Sequence, residues 1–189
     1  MASTQETPRL DLSDVTRAWW PLALSWILMG VELPLISAVV ARLPDQEVQL
    51  AAFGGVVFPI SLMIEAPVIM MLAASTALSS NTRAFHVLKR FMNRLALCMT
   101  LLHVLVAFTP VYDLVIVPLL DVPADVVEPA RIGLMIMTPW TWAIAYRRMH
   151  QGMLIRFGHR SAIATGTGVR LCTTVALLLL GWLAFLLFF

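Results

Sequence analysis

Five long apolar stretches constrain this chain more than any other feature. Each is long enough to form a helix across a hydrocarbon core, which takes about 20 residues. They run over about 19–41, 48–79, 95–112, 130–146 and 162–189. None alternates apolar and polar residues strictly, so the strands of a β-barrel are not supported. The expected fold class is therefore an all-α polytopic membrane protein with five transmembrane helices. Composition enters as a check. Of the 189 residues, 60% are hydrophobic and 13% charged, against about 45–50% and 25% in soluble domains. So little polar surface cannot cover a water-soluble body, which excludes a soluble enzyme, a disordered tail and a secreted disulfide scaffold. A net charge of +2 is too weak a bias to indicate a nucleic-acid partner; the lipid bilayer is the first partner implied.

Charge placement tests the five-helix division. With residues 1–18 as a cytoplasmic segment, the inner side holds Arg9, Arg17, Arg83, Lys89, Arg90, Arg94, Arg147, Arg148, Arg156 and Arg160. The outer side holds Arg42 and Arg131, and Arg170 lies within a stretch. Ten of the thirteen basic residues thus face inward, as the positive-inside rule requires. A missed helix would have scrambled the pattern. Asp45, Glu47, Asp113, Asp121, Asp125 and Glu128 fall outside. The expected topology is N-in and C-out in a bacterial inner (plasma) membrane.

The flanks fit this division. Trp19 and Trp20 stand at the headgroup level where the first helix enters, after Ser13 and Asp14, which serve as its expected N-cap. The stretch VIVPLL between Asp113 and Asp121 is too short to span and is broken by Pro118; it either lies in the interface or extends the third helix. No signal peptide or N-x-[ST] acceptor is read. The chain stops on LAFLLFF near the outer interface. An odd helix count with that ending reads as a truncated or split unit. Cys98 and Cys172 sit in apolar runs and read as small buried hydrophobes, and the eleven methionines as packing or lipid-facing residues.

Three ionisable residues fall inside the apolar stretches: Glu32, Glu65 and Arg170. Intramembrane charges cost roughly 2.5–3.5 kcal/mol, so each is by default a functional hypothesis. At 1.5 Å per residue, Glu32 and Glu65 lie roughly 20 Å above the cytoplasmic boundary and Arg170 roughly 12 Å above it. Two carboxylates at one level with a cation below form a candidate ion or proton site. The alternative is that a glutamate pairs with Arg170 and holds the bundle together. Pro34 follows Glu32 and Pro67 follows Glu65 by two residues, and Pro59 precedes Glu65. These are candidate helix bends, since proline frees a backbone carbonyl that must find a protein-lined or hydrated cavity. Broken helices with midplane carboxylates typify secondary transporters. His103 reads as a satisfied core histidine, with a proton relay as the sharper alternative. Ala162, Gly166 and Gly168 form a small-residue face for close helix approach. The run from Gly166 to Gly168 is no phosphate loop, and no Walker A, zinc motif or Cys/His ligand cluster occurs. Catalytic residues, metal ligands and cofactors are therefore not expected, apart from a coupling H+ or Na+.

The run WWPLALSWILMGVELPLISAVVARLPDQEVQLAAFGG, followed by PISLMIEAPVIMMLAASTAL, resembles the opening two helices of the multidrug/oligosaccharidyl-lipid/polysaccharide flippase superfamily. Its nearest likeness there is to the branch of MATE-like exporters and the progressive ankylosis protein. The stretch ARIGLMIMTPWTWAIAYRRMHQGMLIRFGHRSAIATGTGVRL is similar to that branch's fourth helix, basic inner loop and fifth helix. The resemblance covers about residues 15 to 180. It implies two six-helix bundles related by a pseudo-two-fold axis and working by alternating access, of which five helices make an incomplete N-terminal lobe. It further implies a small-molecule or anionic substrate, a companion transporter half or a second copy, and cation coupling through an acid in the first helix, here Glu32. The function expected is one lobe of a cation-coupled secondary transporter or exporter; the alternative is a non-transporting membrane scaffold or assembly subunit.

Overall fold

A segment with few polar side chains must pair its backbone groups internally, and in lipid a single run does so only as a helix. The structure, a computed structural model, describes residues 11–188, and among them the chain is helical throughout with no strand. Arg9 and the rest of residues 1–10, and Phe189, lie outside the described residues. In chain order, α1 spans Leu12–Val40, α2 Gln46–Leu50, a π-helical segment Ala51–Val57, α3 Phe58–Ile69 and α4 Met71–Leu78. Then come α5 (Thr82–Phe108), a second π-helical segment (Tyr112–Ile116), α6 (Val117–Leu120), α7 (Ala124–Arg156) and α8 (Arg160–Phe188).

Four of these pieces are long and apolar enough to cross a membrane: α1, the run from Gln46 to Leu78, α5 and α8. The fourth expected helix, 130–146, lies inside α7. At 33 residues α7 is the longest helix. Asp125, Glu128 and Arg131 at one end, and Arg147, Arg148 and Arg156 at the other, confine its uncharged part to 132–146, short of the ~20 residues a span takes.

Helices also begin earlier than the apolar runs, because capping and backbone bonding, not apolarity, set a helix end. The α5 helix starts at Thr82 instead of near residue 95, with the Asn81 side chain accepting from the Ala84 N–H at 2.9 Å. Arg83, Lys89, Arg90 and Arg94 therefore ride on a helix and not in a loop. Similarly α1 begins at Leu12, ahead of Ser13 and Asp14. The Asp11 carbonyl accepts from Val15 at 3.2 Å, and its carboxylate accepts from Leu12 N–H and the Ser13 hydroxyl. Thr109, with extended backbone, ends α5, so the stretch around VIVPLL is a separate short element and not an extension of that helix.

Two of the prolines expected to bend helices coincide with real departures. Pro59 and Pro118 each stand at the start of an α-helix that directly follows a π-helical segment. A proline has no N–H for the carbonyl four residues back, and its ring crowds that carbonyl, which favours the wider i→i+5 pattern before it. Pro67 lies inside α3 two residues before its end, and Met70 interrupts the path to α4. Pro34 falls inside α1, which is assigned helical without interruption. Pro129 and Pro139 sit inside α7 and were not among the expected bends.

The chain divides into two compact units, residues 1–33 with 159–189, and residues 34–158. In the first unit most of the apolar side chains of α1 and α8 are exposed, among them Trp19, Trp26, Val169, Leu177 and Leu187. Two sequence expectations fail on its helices. No atom of the described residues lies within 4 Å of a methyl built at Gly166 or Gly168, so that face makes no close approach. Cys172, like Cys98 on α5, is exposed and not buried: each lies on a helix face that no other helix covers.

The second unit packs α3 and α4, α5 and α7 around two apolar clusters. One joins Ile60 and Ile64 of α3 with Val106 of α5 and Val126, Ala130 and Leu134 of α7. The other joins Val68 and Met71 with Met92 and Ala96 of α5 and Ile144 and Met149 of α7. The closest crossing is that of α4 on α7 at Gly152, where a methyl would fall 2.5 Å from the Leu72 carbonyl oxygen. Polar contacts seal it: the Thr76 hydroxyl donates to Gly152 O at 3.3 Å, and Arg156 donates to Thr76 O and Ala77 O at 2.9 and 2.7 Å. Arg156 thereby satisfies carbonyls that the end of α4 leaves open.

Candidate functional site

The two clusters of the second unit are separated on every helix by one buried polar residue. On α3 it is Glu65, between Ile64 and Val68; on α5 it is His103, between Ala96 and Val106; on α7 it is Thr141, between Leu134 and Ile144. Glu65 is 1% exposed and the other two 0%. Three helices thus contribute one polar group each to a single layer capped by hydrocarbon on both sides.

The groups in this layer touch. His103 Nε2 lies 3.0 Å from the Leu134 carbonyl oxygen, and its Nδ1 lies 3.4 Å from Thr141 Oγ1. Thr141 also hydrogen-bonds the Glu65 side chain. Glu65 Oε1 has no hydrogen-bond partner among the described residues. Neither does Ser61 Oγ, one turn earlier on α3 and fully buried, nor Thr100 Oγ1, three residues before His103 on α5. Positive charge reaches Glu65 from Arg147 and Arg148, one and two residues beyond the uncharged part of α7.

Glu32 and Arg170, both in the first unit, form an ion pair. Arg170 Nη1 donates to Glu32 Oε1 at 2.8 Å, and Nη2 lies 2.6 Å from Oε2, off the hydrogen-bonding angle. Thr174 donates to the same Oε1 at 3.2 Å. Four residues separate Arg170 from Thr174, so one face of α8 presents both donors to one carboxylate. These side chains are partly exposed, 18% for Glu32 and 32% for Arg170.

The structure therefore joins two of the three sequence candidates, Glu32 and Arg170, in the pairing that the structural alternative describes. Glu65 belongs to the other unit and is held by that unit's own residues. Thr141, Ser61 and the role of His103 were not legible as a set. The signal present was the pair Thr138 and Thr141 in the apolar run TPWTW, one turn apart. Threonine in such a run ordinarily bonds its own helix, as Thr138 does to Leu134 O at 3.3 Å, so nothing in the sequence marks Thr141 as the one that reaches across.

No protein-family model, curated protein or solved structure matches the chain.

Proposed function

We propose that the chain is one lobe of a cation-coupled secondary transporter or exporter working by alternating access, and that Glu65 is its coupling group. One observation carries the reading. A carboxylate 1% exposed, in a run apolar enough to cross a membrane, keeps an oxygen without a partner. Buried polar groups are nearly always satisfied, and an exception in a membrane interior calls for a functional reason. Reversible binding of a cation supplies one. The proline-associated breaks on either side, the π-helical segment before Pro59 and the interruption at Met70 after Pro67, let the segment carrying Glu65 move as a piece.

In this reading five helices cross, N-terminus inside, with α7 as the fifth. The resemblance to the MATE-like branch supports the transport class and a companion half or second copy. Glu32, satisfied by Arg170 and Thr174, serves as a structural pair. The same pair favours the second reading, a scaffold subunit, for the first unit alone.

The test uses everted vesicles from the native membrane, with ethidium as the probe cation and an imposed pH or sodium gradient. Glu65→Gln abolishes the part of ethidium accumulation that depends on this chain. Full gradient-driven accumulation in the Glu65→Gln vesicles refutes the assignment.

A further inference from the structure

We infer that Glu65, Thr141 and His103 form a proton relay that holds one proton between α3 and α5, so that the coupling ion is H+. The inference rests on the coupling role given to Glu65 above and goes on to name the ion and its second acceptor. It follows from counting hydrogens. The Leu134 carbonyl can only accept, so the His103 Nε2 that lies 3.0 Å from it carries a hydrogen. Nδ1 faces the Thr141 hydroxyl, whose oxygen also meets the Glu65 carboxyl. That hydroxyl has a single hydrogen to give.

With a bare Nδ1 and an ionised carboxylate, two acceptors compete for that hydrogen and one contact fails. One added proton satisfies both contacts, in either of two arrangements. In the first, the Glu65 carboxyl donates to Thr141 Oγ, and Thr141 donates to a neutral His103. In the second, His103 donates from both nitrogens, and Thr141 donates to the Glu65 carboxylate. They interconvert when the carboxyl hydrogen passes to Thr141 Oγ as the hydroxyl hydrogen passes to Nδ1. No charge is created overall, and no atom beyond hydrogen moves.

Loss of the proton has a mechanical consequence. Thr141 then keeps one partner and releases the other, so α7 stays tied to α3 or to α5 but not to both. Proton occupancy is thereby converted into helix association within the 34–158 unit, as coupling requires. The charged groups acting on the layer are Arg147 and Arg148 on α7; α3 adds the hydroxyl of Ser61, and α5 that of Thr100.

The experiment takes the purified full chain in lipid nanodiscs. Difference infrared spectra across pH are expected to show a protonated carboxyl band that vanishes in Glu65→Gln. The band shifts in frequency in Thr141→Val and in His103→Phe, and Thr141→Ser restores it. Nitrogen NMR, with His103 assigned among the four histidines by its loss in His103→Phe, shows in Glu65→Gln a neutral ring with Nε2 protonated and Nδ1 accepting. Thr141→Ser and Glu65→Gln change shape least, so they decide the matter if His103→Phe does not fold. A band indifferent to Thr141→Val, or a ring protonated at Nδ1 alone, overturns the relay. If that result accompanies loss of gradient-driven ethidium transport in Glu65→Gln, coupling through Glu65 stands and the relay falls. If band and ring respond as expected while transport is intact, the relay stands and the coupling role falls.

Discussion

Replacing Gly152 with alanine inserts one methyl where α4 and α7 cross. In an isolated helix the change would be favourable by about 1 kcal/mol, since alanine is the better helix former. The structure reverses the sign. The new Cβ would lie 1.8 Å from Ser75 Oγ, 2.5 Å from Leu72 O and 2.9 Å from Thr76 N. Ser75 can rotate away, but the other two atoms are backbone. Ordinary contact begins at 3.4 Å, so against Leu72 O the helices must part by 3.4 − 2.5 = 0.9 Å. Overpacking of this kind costs about 1–3 kcal/mol. Separation also stretches the Thr76 and Arg156 hydrogen bonds that bridge the crossing, each contributing about 0.5–1.5 kcal/mol. The expected net loss is about 2–4 kcal/mol after the gain in helix propensity is subtracted. Unfolding of the purified protein in mild detergent, followed by circular dichroism against added denaturing detergent, reads it. Gly166→Ala, with open space around its Cβ, is the control and is expected to be neutral or slightly stabilised. Adding Ser75→Ala does not rescue Gly152→Ala, because the backbone clash remains. Wild-type stability in Gly152→Ala would refute the geometry of the crossing.

Two further outcomes follow from the same coordinates. Glu32→Gln and Arg170→Gln each leave a charge without its partner and are expected to lower thermal stability, whereas the double variant recovers most of the loss; a double variant worse than both singles would contradict the pairing. Gly158 ends α7 at φ +79°, so Gly158→Ala is expected to cost about 1–2 kcal/mol in the same unfolding assay, and a neutral result would remove the strain argument.

Much of the helical content was legible because apolar length alone demands it. The boundaries were not. Apolarity reports where the hydrocarbon is, whereas Asn81 and Asp11 report where the backbone turns, and the two differ by more than ten residues at α5. Glu32, Glu65 and Arg170 stood out because charge inside an apolar run is costly wherever it falls. Which of them pair could not be read, since partners 138 residues apart leave no periodic trace. Gly152 went unnoticed in the polar context RMHQGML, while Gly166 and Gly168 drew attention on spacing alone and meet nothing. Close approach depends on what the neighbouring helix presents, and spacing within one helix is silent about that.

The amino-acid order by itself therefore determined that the chain is helical, that it has helices suited to a bilayer, and that three costly charges need a reason to be there. These are local properties of solvation and backbone bonding, summed along a single run. Only the tertiary structure decided that Arg170 neutralises Glu32, that Gly152 is where backbones meet, and that Glu65, Thr141 and His103 share one layer. Those facts depend on how three or more helices are rotated about their own axes, and rotation is set by side-chain packing between segments distant in the chain.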